Sequence, residues 1–64
     1  MTLQELRAWH IQRAREACLQ VRLRLPAVGP DTAPAGIEWL GRLIELAGFH
    51  IEAASLLDLA INGG

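Results

Sequence analysis

Sixty-four residues, 52% of them hydrophobic, with a net charge of −1 and one cysteine, are read as a single small helical domain over residues 1–64. One cysteine cannot close an intrachain disulfide, and no Cys/His cluster stands at metal-finger spacing, so neither usual staple of a small scaffold is expected. The charge is unevenly placed: residues 1–25 hold five arginines against two glutamates, and residues 26–64 hold Arg42 against five carboxylates.

The first element begins at once. Leu3, Leu6, His10, Ala14, Ala17, Val21 and Leu25 recur at steps of three and four, which marks one face of a helix. Thr2 followed three residues later by Glu5 is a capping-box pattern, and Pro26 disfavours helical geometry at Leu25. The spacing predicts a helix over about 2–25. The same segment carries Glu5 within an amphipathic run, so neither a signal peptide nor an acid-poor transit sequence is expected.

The stretch "PAVGPDTAPAG" is a loop whose second half starts a helix. Asp31 or Thr32 offers a cap, and Pro34 suits a first turn. Beyond it, Leu40, Leu43, Ile44 and Ala47 share one direction, whereas Phe49, Ala53, Leu56, Leu57 and Ala60 share another. At about 100° per residue the two directions differ by roughly 130°. Gly48 stands at the joint, so the pattern predicts two helices, about 32–47 and 50–62. The predicted fold is all-α, an antiparallel bundle of three helices; a two-helix hairpin is the alternative if the helix continues through Gly48. No Ser, Thr, Asp or Asn stands at 49 or 50 to cap a new helix, which favours that alternative. Residues 37–61 are long enough to span a bilayer but carry six ionisable side chains, which excludes a membrane span.

With a turn at Gly48, residues 34–61 resemble one tetratricopeptide repeat, a 34-residue helix–turn–helix unit. Counted from Pro34, Leu40 and Gly41 fall on the family's Leu-Gly pair. Ile44 falls on its aromatic position, Gly48 on the inter-helix turn, Ala53 on the small residue of the second helix, and Leu57 and Ala60 on later large and small positions. Ile37 replaces the usual tryptophan, Trp39 is displaced by two positions, and the closing proline has no counterpart. The resemblance covers under half the chain and implies a protein-binding surface without enzymatic chemistry.

Trp9 lies off the main stripe of the first helix, on a side shared with Leu19 and Leu23, and Leu59 lies on the polar side of the last helix. Large apolar groups outside the core mark these four as a protein interface. Trp39 is expected in the core near the loop. Arg15 and Arg22, seven apart, match Glu38 and Glu45, also seven apart, and predict intramolecular charge pairing across antiparallel helices. His10 and His50 would form a metal site or a pH-sensitive contact only if they converge; packed or surface histidines are the ordinary expectation. Cys18 is expected to pack as a small hydrophobe. No nucleophile, phosphate loop or paired carboxylate stands out, so no catalytic, cofactor or metal residue is expected.

A chain of this length buries only about 60% of its unfolded surface, so self-association through the first helix is expected to complete the core, as a homodimer. The functional expectation is a non-catalytic protein–protein interaction module, a small regulator or inhibitor that binds a larger protein. A lone thiol fits a cytoplasmic setting. All six basic residues are arginine, which is associated with GC-rich bacterial or phage genomes. The alternative is a DNA-binding accessory factor. It would use the arginine-rich first helix or a helix-turn-helix around Gly48, although residues 50–57 offer no cation for phosphate.

Overall fold

The computed structural model describes residues 1–63 as two long antiparallel helices, α1 (Leu3–Arg24) and α2 (Pro34–Asn62), joined through a 3-10 turn at Leu25–Ala27. The capping box at the start of α1 forms as expected. The Glu5 N–H donates to Thr2 Oγ1 at 3.1 Å, and the Thr2 N–H donates to Glu5 Oε1 at 3.4 Å. Arg22 and Arg24 occupy the last turn, where cations complement the helix dipole. Pro26 then lies inside the 3-10 turn and marks the end of α1. In the loop, the Gly29 N–H donates to Thr32 Oγ1 at 2.7 Å. That bond occupies Thr32, so neither it nor Asp31 caps α2; the helix begins two residues later than expected, at Pro34, with Ala33 as an uncapped N-cap.

The three-helix expectation is corrected: α2 runs unbroken for 29 residues through Gly48. The seam against α1 explains why. Leu40, Ala47, His50 and Ala54 are buried and Leu43, Leu57 and Ile61 half-buried, a strict alternation of three- and four-residue steps. That is the 3.5-residue repeat of a left-handed coiled pair, and it passes Gly48 without a change of direction. The apparent rotation came from Phe49 and Leu56, which are 59% and 60% exposed and lie outside the seam, whereas His50, polar by type, lies within it. Gly48 costs a helix only about 1 kcal/mol, less than the backbone hydrogen bonds and packing a break would lose. Without that turn, the helix pair underlying the tetratricopeptide resemblance is not formed, nor is a helix-turn-helix around Gly48.

Ala14 and Ala17 of α1 and Ala47 and Ala54 of α2 are buried along this seam, and small side chains let two helix backbones approach closely. The resulting molecule measures 50 × 16 × 14 Å. A body this thin encloses nothing: none of the described side chains falls below 2% exposure.

Apart from the neighbouring residues and backbone of its own helix, no heavy atom lies within 4 Å of the position a Gly48 Cβ would take. Gly48→Ala therefore adds helix propensity without a clash and is expected to stabilise the fold by about 0.5–1 kcal/mol. Thermal unfolding should rise by roughly 4 °C, since about 1 kcal/mol moves the midpoint of a domain this size by 4–8 °C. A fall in the midpoint would mean that Gly48 sits in a turn.

Candidate functional site

The two histidines converge. One seam position on α1 and one on α2 bring His10 Nδ1 and His50 Nδ1 to 2.7 Å. A hydrogen bond between two Nδ1 atoms requires one ring to carry its proton there and the other to present a lone pair. His50 is buried, and burial pushes its pKa below 6.5; the nearby charges of His10 and Arg13 push the same way. The pair therefore favours a neutral His50.

Around this pair stands an aromatic cluster. Trp9 meets the His10 and His50 rings edge-on, with centroids at 4.9 and 5.5 Å. Phe49 meets them from α2 at 6.1 and 5.2 Å. The Arg13 guanidinium lies 5.1 Å from the Trp9 ring centre. The histidines are the inner members of the cluster, while Trp9 and Phe49 keep 43% and 59% of their surface exposed. The result is a half-exposed aromatic edge over one buried and one half-buried histidine.

The opposite side of the hairpin carries a groove of about 730 Å³ between the helices. Ile11 and Cys18 of α1 line it with Ile51 of α2, and Arg15 and Arg22 edge it. Ile44 and Ile37, one and two heptads before Ile51, continue the same row and are half-exposed. Near the open end the Arg7 Nε forms an ion pair with Asp58 Oδ1. Both partners are about 40% exposed, so the pair adds at most about 1 kcal/mol.

The predicted interface residues are all exposed, but they do not form one patch. The His10–His50 contact sets the register, placing residue 10+n of α1 level with residue 50−n of α2. Leu59 therefore lies at the open end, Trp9 near the histidines, Leu19 at the edge of the groove, and Leu23 beside the loop. Trp39 is not core: it is 41% exposed, with the Arg24 guanidinium stacked 3.6 Å over its ring. Cys18 is half-buried among aliphatic neighbours. The predicted intrachain pairing of Arg15 and Arg22 with Glu38 and Glu45 does not form; among the described residues the ion pairs are Arg7–Asp58 and Arg13–Glu16. The pairs stand level but on separate flanks, the arginines at the groove mouth and the glutamates turned to the outer flank of α2.

Phe49 was hidden among the apolar residues of α2, and its departure from the three-and-four spacing was the signal that marks it. Among the described residues no three metal-ligating side chains cluster, and no helix is long and apolar enough to cross a membrane. Comparison with protein-family models, with curated proteins and with solved structures finds no match to this chain.

Proposed function

We propose that this chain is a non-catalytic protein-interaction module, a small regulator that docks on a larger protein and changes its activity. The observation that carries this reading is the aromatic edge of Trp9 and Phe49. It presents two large rings to solvent on a base of interlocked histidines, with Leu46 and Leu56 exposed beside it on α2. Rigid aromatic anchors lose little entropy on docking and dominate binding energy where they occur. The reactive groups support it from the other direction. The histidines engage each other, and Cys18 lies on the other side of the hairpin with no base beside it. A cytoplasmic setting belongs to the same proposal.

The test is site-specific photo-crosslinking in cells of the source organism, with the reactive residue at Phe49 or, as control, at Gln12 on the outer face of α1. A single heterologous adduct is expected from position 49, absent from position 12. Trp9→Ala should remove it by weakening docking about 30-fold, the effect of losing roughly 2 kcal/mol at an anchor residue. Adducts only with itself, or none, would contradict the reading. So would duplex-DNA binding that falls steeply between about 50 and 200 mM salt, which would favour the DNA-accessory alternative.

A further inference from the structure

We propose that the groove side of the hairpin is a homodimer interface. Two copies close a four-helix bundle over the Ile11, Cys18, Ile44 and Ile51 face, with Arg15 and Arg22 of each copy paired to Glu45 and Glu38 of the other. This inference does not depend on the aromatic edge, which the bundle leaves outward.

The chain exposes 4914 Å². A compact folded protein of 7.0 kDa exposes about 4,000 Å² by the size scaling of monomeric proteins. The excess, roughly 900 Å², is close to the ~800 Å² that each partner contributes to a standard interface. A second copy is enough to cover it.

The composition of the two sides selects the face. On the groove side both helices supply aliphatic side chains, Ile11 and Cys18 from α1 and Ile44 and Ile51 from α2. On the opposite side α1 supplies Arg13, Glu16 and Gln20 opposite Leu43 and Leu46. The groove side is charged too, but its charges can be answered: Arg7 is paired with Asp58 within the chain, and Arg15 and Arg22 are the arginines that the glutamates of a second copy would meet.

Charge selects the occupant and its orientation. Within the hairpin, Arg15 is level with Glu45, and Arg22 is level with Glu38. A two-fold axis parallel to the helices lays α1 of one copy antiparallel on α2 of the other and leaves every level unchanged. Arg15 then meets Glu45 across the interface, and Arg22 meets Glu38. An axis perpendicular to the helices would instead lay α1 on α1 and set the arginine rows against each other, which like-charge repulsion opposes. Seven-residue spacing of both charge rows matches the repeat of the seam, so the pairs hold register along the bundle. Rim pairs of this kind add little affinity and mainly choose the arrangement.

The test is molar mass by sedimentation equilibrium, with helicity followed by circular dichroism. Arg15→Glu/Arg22→Glu alone should fall from dimer to monomer, as should Glu38→Arg/Glu45→Arg alone. An equimolar mixture should recover twice the chain mass. Should either variant lose its helicity, crosslinking decides. In a Cys18→Ser background, a short bismaleimide should join Arg15→Cys to Glu45→Cys across a mixture and leave Arg15→Cys alone unjoined. A monomeric wild type, charge variants as dimeric as wild type, a mixture that fails to pair, or crosslinking of Arg15→Cys to itself would each overturn the arrangement.

Discussion

Ala47→Leu is expected to cost about 1–3 kcal/mol of stability, because it forces an isobutyl group into a buried position of the seam between the helices. Ala47 is 6% exposed, and Ala14 and Ala17 hold the facing positions on α1 with the same small side chain. The helices cannot accept the added volume without separating, and separation loosens Leu40 and His50 on the turns to either side. A core of this size supplies only about 3–5 kcal/mol, so the variant should lose a large part of its stability and show a much earlier urea midpoint. The same substitution at the exposed Gln12 should leave the midpoint nearly unchanged. Equal effects at the two positions would mean that the alanines do not form the contact seam.

The histidine pair predicts the second large effect. His10→Ala leaves the buried Nδ1 of His50 without a partner, and an unsatisfied buried polar group costs about 1–3 kcal/mol. Replacing both, as His10→Leu/His50→Leu, removes the polar demand altogether and is expected to be near neutral or stabilising. The pH dependence separates these cases further. Burial, then His10 and Arg13, hold the His50 pKa below its unfolded value of 6.5. The unfolded chain therefore takes up this proton first as pH falls. Stability is complete above about pH 6.5, declines between that value and the lower folded pKa, and levels off beneath it. Urea midpoints measured from pH 7 to pH 5 should fall for the wild type and stay flat for the double leucine variant over the same range. A wild-type midpoint that rises on acidification would contradict a neutral His50.

How much of this was legible in the sequence differs from one residue to the next. The start of α1 was legible because Thr2 and Glu5 cap it through local bonds, and its end because Pro26 acts on its immediate neighbours. The continuity of α2 was obscured by chemistry of type: a histidine in the seam reads as polar, and an exposed phenylalanine reads as core. Counting His50 with Leu40, Leu43, Ala47, Ala54 and Leu57 gives an unbroken heptad, so the signal was present but carried by the wrong class of side chain. The aromatic edge was only half legible. Trp9 stood out alone, but its meeting with Phe49 and His50 depends on the register between helices, which no local pattern specifies. The charge rows show the same limit. Their matched spacing is visible in the sequence, whereas the flanks on which they stand follow only from the packed hairpin.

Solution mass tests the central claim most directly, that this hairpin is half of a bundle whose remaining side is a docking edge. At micromolar concentration the wild type should sediment at twice the 7.0 kDa chain mass, and the groove-facing substitution Ile51→Asp should bring it to a single chain. A wild type that remains a well-folded single chain would contradict the account.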